Sequence, residues 1–143
     1  MEISDEVIKY IKEGSLKAFN NNEIPVSCVI IDSEGNIIST GINSRQSNNN
    51  ILGHAEINAI VKAEENIKDW RLDGYTMVVS LEPCEMCSSI IKESRIDKVY
   101  YFLSKKTKDI IYDYGINKVK INEYTEVEEY LLNLLTTFFD NKR

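Results

Sequence analysis

His54, Cys84 and Cys87 are the side chains of this sequence best suited to act together. His54 is the only histidine and lies in His54-Ala55-Glu56, while the two cysteines lie in Pro83-Cys84-Glu85-Met86-Cys87. One imidazole and two thiols are a borderline-soft donor set that suits zinc; iron can occupy similar ligands. Cys84 and Cys87 are one helical turn apart, so both sulfurs can face one point. Both motifs are expected to open helices, where unpaired N–H groups and the positive end of the dipole favour thiolates. His54 and Glu56 are separated by about 200° around a helix. They can serve one ion only if that helix points its N-terminus at it. Three protein ligands leave a tetrahedral ion one position for water, whose pKa falls toward about 7. Glu56 is then placed to take that water's proton and return it elsewhere.

A second reading stays open at this point. The third cysteine, Cys28, could complete a Cys₃His structural site, which would make the chain a non-catalytic, zinc-stabilised binding module. Inside an apolar strand run it is more simply a small buried hydrophobe. A thioredoxin-type reading fails on detail, because Glu85 follows Cys84 and the lone histidine has no role in it.

The elements that must position these groups are readable from periodicity. Ser4 is an N-cap for a first helix carrying Val7, Ile8, Ile11, Ala18 and Phe19 on one face, with Gly14 a weak point. Val26–Ile31 and Ile37–Ile42 flank Asp32-Ser33-Glu34-Gly35-Asn36 and form a hairpin. Helices are expected over 54–66 and 84–93, and strands over 75–81 and 98–103. Thr125-Glu126-Val127-Glu128 reads as a capping box. Val127, Tyr130, Leu131, Leu134, Leu135, Phe138 and Phe139 follow it as one continuous apolar stripe. Helices alternating with strands in this order predict a three-layer α/β domain spanning residues 1–143.

Composition sets the remaining bounds. The 143 residues are 43% hydrophobic and 28% charged, enough for one domain with a real core and no disulfide scaffold. A net charge of −6 does not favour tight binding to bulk nucleic acid or anionic membrane. No apolar run approaches the roughly 20 residues of a membrane span. The start, Met1-Glu2-Ile3-Ser4-Asp5-Glu6, is acidic where a signal peptide would be basic, so a cytoplasmic location is expected.

With these residues in view, the chain resembles the cytidine deaminase-like superfamily, and within it the bacterial tRNA adenosine deaminases. The matching stretches are Glu23-Ile24-Pro25-Val26, Asn43, His54-Ala55-Glu56, Trp70-Arg71-Leu72, Leu81-Glu82-Pro83-Cys84-Glu85-Met86-Cys87, Ser94-Arg95-Ile96 and Leu134-Leu135-Thr136-Thr137-Phe138-Phe139. The resemblance implies a cytidine deaminase-like fold, a mixed five-stranded sheet with helices on both faces. It implies one zinc per chain held by His54, Cys84 and Cys87, with Glu56 as the catalytic proton shuttle. It places Asn43, Ala55, Pro25 and Phe138 on the substrate side, and it implies a homodimer. The implied reaction is hydrolysis of adenosine to inosine and ammonia at the wobble position of a tRNA anticodon. Glu56 would deliver protons to N1 and to the exocyclic amine. Deamination of a free nucleobase or nucleoside, of guanine or cytosine type, is the alternative.

The chain departs from the family between its last two strands. Phe102-Leu103-Ser104-Lys105-Lys106-Thr107-Lys108-Asp109 stands where the family has acidic and glycine-rich positions. About a dozen residues is near the minimum for a parallel crossover. A parallel fifth strand would fit the tRNA group, an antiparallel one the nucleoside deaminases. Residues 92–120 hold eight basic against four acidic side chains, with Tyr100, Tyr101, Phe102, Tyr112 and Tyr114 among them. They could stack and hold splayed RNA bases, or be core aromatics with solvated lysines. Lys142 and Arg143 could add phosphate contacts or complement the last helix. Trp70 and Arg71 could pack a loop beneath the site.

Overall fold

The structure is a computed structural model and describes residues 2–105 and 115–141. Its elements run α1 (Asp5–Asn20), β1 (Ser27–Ile31), β2 (Ile37–Ile42), α2 (Ala55–Ile67), β3 (Thr76–Leu81), α3 (Glu85–Ser94), β4 (Lys98–Leu103), β5 (Lys118–Lys120) and α4 (Thr125–Asp140). The five strands form one sheet in the order β2-β1-β3-β4-β5. β1 pairs antiparallel with β2 and β3, while β3–β4 and β4–β5 are parallel. The mixed three-layer α/β fold expected from the sequence is what the chain adopts. The fifth strand takes the parallel orientation.

Period-two alternation divides each central strand between two cores. Cys28, Ile30, Met77 and Val79 face one side and pack with Ala59, Ile60 and Ile91 of α2 and α3. Val29, Ile31 and Val78 face the other and pack with Ile11 and Leu131 of α1 and α4. Both faces of β1 and β3 are therefore buried, which is why these strands read as apolar runs rather than alternating ones.

Local chemistry explains the element ends. Ser4 caps α1, its Oγ accepting the Val7 N–H at 3.2 Å. Asp32 shapes the hairpin turn, its Oδ1 accepting the N–H groups of Glu34 and Asn36 at 2.9 Å. Gly14 is less a weakness than a fitting, since a Cβ there would stand 2.9 Å from Ser27 Cβ. Its absence lets α1 lie close on β1.

The capping box does not form. Tyr124 occupies the N-cap position without a side-chain cap bond, and Thr125 is already in the first turn of α4. The Tyr124 hydroxyl is instead bound to the backbone of Ile3, accepting its N–H at 2.8 Å. The Glu128 carboxylate, which the box would turn back to the helix start, lies 3.3 Å from Lys120 Nζ. Tertiary partners outcompete a local motif worth about 1 kcal/mol. The apolar stripe of α4 is confirmed in its centre, with Val127, Leu131 and Phe138 buried, but Phe139 lies outside it at 51% exposure.

The aromatic stretch of β4 is core rather than an RNA platform. Phe102 is fully buried, and Tyr100 and Tyr101 are half-buried against the two cores. Tyr112, Tyr114, Lys106, Lys108, Lys142 and Arg143 lie outside the described residues. Among the described residues no helix is long and apolar enough to cross a membrane.

Candidate active site

Two helix starts meet at one point beyond the carboxyl end of β3. His54 is the N-cap of α2 and Cys84 the N-cap of α3, and neither spends its side chain on capping. Cys87 follows one turn into α3 and is fully buried. The Nδ1 of His54 lies 3.5 Å from Cys87 Sγ, and donor atoms of all three residues lie within 4.8 Å of one another. A tetrahedral zinc with usual bond lengths would set such a nitrogen and sulfur roughly 3.6 Å apart. Nature, number and spacing of the donors therefore fit zinc.

The site electrostatics follow from the sharing of protons. The Cys87 thiol donates to Cys84, and this bond is the main reason the Cys84 pKa drops to about 5, with the Cys87 N–H, His54 and Lys105 adding to it against burial. The same bond, joined by burial and the nearby Glu56 and Cys84 charges, pushes the Cys87 thiol far up. A cation bound there would hold both sulfurs as thiolates and release any proton they share.

Glu56 sits in the first turn of α2 and is only 4% exposed. Burial, helped by the Cys84 charge, raises its carboxyl to about 7; its own backbone N–H, the Cys87 thiol and Lys105 oppose this. Its carboxylate is not part of the three-donor cluster. It lies beside the donors, in the wall of the same pocket, and is not a fourth donor. Cys28 is also outside the cluster, fully buried in β1 opposite Gly41 and Val79. Among the described residues no fourth donor joins His54, Cys84 and Cys87.

The start of α2 is held from the sheet side by several contacts. Asn43 Oδ1 accepts the Ala55 N–H at 2.8 Å. Asn58 Nδ2 donates to the Ile42 carbonyl at 2.8 Å, and Ser39 Oγ to the Ala59 carbonyl at 2.7 Å. A Cβ on Gly41 would run into the backbone of Ala55 and Ala59. Only glycine lets β2 come close enough to aim the helix end.

Glu23 supplies a further hold. It is 2% exposed, and its two carboxylate oxygens accept the N–H groups of Gln46 and Ser47 and the Ser47 hydroxyl, at 2.7–3.2 Å. Burial raises its pKa, but these donors and the Arg45 backbone outweigh it, and the net shift is downward. A lowered folded pKa gives stability that is present above the unfolded value and lost as pH falls through the folded one. We expect Glu23→Gln to cost about 1–2 kcal/mol at pH 7. In urea titrations the gap from wild type should narrow as pH falls below the ordinary carboxylate range. A gap that persists unchanged at pH 3 would show that the charge is irrelevant.

A cavity of about 190 Å³ opens over the donors, walled by Ile24, Val26, Asn43, Glu56, Leu81 and Lys105 among others. That is small beside the roughly 300–1,000 Å³ of drug-sized pockets, and suits one ring system. Ile24 and Asn43 are shared with an adjoining groove of about 330 Å³ bordered by Arg45, Gln46, Phe138 and Phe139.

The expected substrate residues are distributed over these spaces. Asn43 reaches both; its Oδ1 is spent on Ala55, which leaves the amide nitrogen as its spare donor. The Ala55 N–H is already taken by Asn43. Pro25 is buried between the wall residues Ile24 and Val26. Phe138 lines the adjoining groove and packs edge-on against Phe19 at 6.5 Å between ring centres. Trp70 is not under the site: it is 53% exposed and lies beneath the Arg95 guanidinium at 5.0 Å. The roles of Glu23 and Glu82 escaped the sequence reading, because their partners are 24 and 36 residues away and no local pattern announces them.

A family model for the cytidine and deoxycytidylate deaminase zinc-binding region matches residues 1–103. The chain belongs to this family of zinc-dependent deaminases. A tRNA-specific adenosine deaminase of Buchnera aphidicola is 38% identical over 133 residues, covering 88% of this chain and 87% of the relative. One of Streptococcus pyogenes is 36% identical over 141 residues, covering 93% and 87%. Among solved structures, a tRNA:A34 deaminase superposes with a TM-score of 0.78 at 22% identity, covering 92% of this chain and 100% of that one. Guanine deaminase from Bacillus subtilis superposes at 0.64 with 31% identity, covering 71% and 65%. In this deaminase the family's metal is zinc, and His54, Cys84 and Cys87 are placed to hold it.

Proposed function

We propose that this protein hydrolyses adenosine to inosine and ammonia at the wobble position of a tRNA anticodon. The observation that carries the reading is the two-part cleft: a pocket of one-ring-system size over the donors, continuous with a groove that ends at Phe138 and Phe139. Such a shape suits a base splayed out of a single strand, with neighbouring bases beside aromatic rings. The parallel β4–β5 pairing and the names of the similar proteins support it.

Bound zinc would supply a Lewis acid that makes water nucleophilic near neutral pH. Glu56 takes a proton from the attacking water and delivers it to adenine N1, then takes the proton of the new C6 hydroxyl and delivers it to the departing amine, which leaves as ammonia. Asn43 holds the nucleoside through its spare amide donors. Ile24, Val26 and Leu81 wall the base off from bulk water. Exposed Leu52 and Val61, which share a groove along α2, support a homodimer, and the substrate class supports a cytoplasmic setting.

The competing reading, deamination of a free nucleobase, is favoured by the guanine deaminase similarity. An anticodon stem-loop with a wobble adenosine, and separately free nucleobases and nucleosides, would be offered to the zinc-loaded protein. Inosine in the stem-loop with ammonia release is expected. Turnover confined to the small molecules would end the tRNA assignment.

A further inference from the structure

We propose that Lys105 reads a phosphate flanking the target nucleoside, and so selects a nucleotide within a strand over a free base or nucleoside. The inference rests on the deaminase reading above and names the feature of the substrate recognised at that same site.

Four of the six described basic residues on 92–120 have other employment. Lys118 is buried against Glu82 at 2.7 Å. Lys120 contacts Glu128 and the Ile121 carbonyl. Arg95 and Lys98 lie over the rings of Trp70 and Tyr100. Lys105 is different: it is exposed and forms part of the wall of the donor pocket. Its ammonium makes no ion pair among the described residues.

The backbone at this lysine is fixed from the core. Glu82 Oε1 accepts the Lys105 N–H at 3.0 Å, while Glu82 Oε2 accepts from Lys118 Nζ at 2.7 Å. One carboxylate thus anchors the lysine's peptide, and its charge is balanced by a different, buried cation. The side-chain charge of Lys105 is left to act on the pocket.

A purine base is neutral and offers this cation no charge. The anion that accompanies a base at the mouth of so small a pocket is the phosphodiester on its own ribose. A lysine on a fixed backbone next to the opening meets it as a point charge. Glu82 lines the same pocket and is the positioning residue in this arrangement, its two carboxylate oxygens accepting from the Lys105 N–H and Lys118 Nζ.

The test crosses two changes. Wild type, Lys105→Gln and Lys105→Arg are assayed on the stem-loop with natural linkages, and with an uncharged methylphosphonate 5′ or 3′ of the wobble adenosine. Zinc per chain is measured for each protein. One of the two neutral linkages should raise the wild-type KM about fivefold with little change in kcat. Lys105→Gln should show that higher KM on the natural stem-loop and be indifferent to the linkage, and Lys105→Arg should restore both KM and linkage sensitivity. Equal linkage sensitivity in wild type and Lys105→Gln would overturn the proposal, as would a wild type indifferent to both linkages. Should Lys105→Gln fail to fold or to hold zinc, the wild-type and Lys105→Arg arms decide alone.

If the wild type leaves the stem-loop untouched, the tRNA reading falls, and Lys105 is judged by calorimetry with adenosine and its 3′- and 5′-monophosphates. A preference for a monophosphate that Lys105→Gln abolishes sustains the proposal; equal affinities overturn it.

Discussion

Glu56→Gln is expected to lower the deamination rate by about 10²–10⁴-fold, the usual worth of a positioned acid–base group, while zinc content stays at one per chain. Gln keeps the size and one acceptor oxygen but cannot carry a proton. The Glu56 carboxylate is outside the donor cluster, so its loss leaves the three donors in place. Its burial is what raises the pKa to about 7, where a carboxyl can both accept and release a proton. Single-turnover inosine formation and metal analysis on the same preparation would check this. Near-wild-type rates would remove Glu56 from the chemistry, and loss of zinc would make it a ligand.

The second large effect concerns the metal and stability together. Cys87→Ser should weaken zinc binding by more than about 10²-fold, because a buried first donor is worth more than the outer contacts whose loss already costs 10–100-fold. A ligand that binds only the folded chain stabilises it by about 4 kcal/mol at a thousand times its Kd. Wild type should therefore gain about that much in urea unfolding between chelator and zinc, and Cys87→Ser should gain almost nothing. Cys28→Ser is the matched control. It places a hydroxyl in the core beside Ile30 and Val79 and should cost about 1–3 kcal/mol, yet keep the zinc increment. Loss of that increment in Cys28→Ser would revive the Cys₃His structural site.

Both experiments depend on how two short helices are aimed. Nothing in His54-Ala55-Glu56 forces its helix toward the Cys84 sulfur; Gly41 and Asn43 do that from β2 and the chain just after it, and Asn58 ties the helix back to the Ile42 carbonyl. Glu23 braces the same region at Gln46 and Ser47. These are the positions at which stability and catalysis are joined.

The donor types, their one-turn spacing and their place at helix starts were legible in the sequence, because each is a property of a few neighbouring residues. So was the order of helices and strands, since burial on one or both faces leaves its period in the chain. The failed capping box at Thr125 shows where that stops, because Tyr124 and Glu128 answer to Ile3 and Lys120 instead of to each other. The direction of β5, the exclusion of Cys28 from the donor cluster and the Glu82 bridge between Lys105 and Lys118 were decided only by the tertiary structure. Each depends on which strands are neighbours in the sheet. That is set by the summed burial of two opposite cores, a quantity no local stretch of sequence contains.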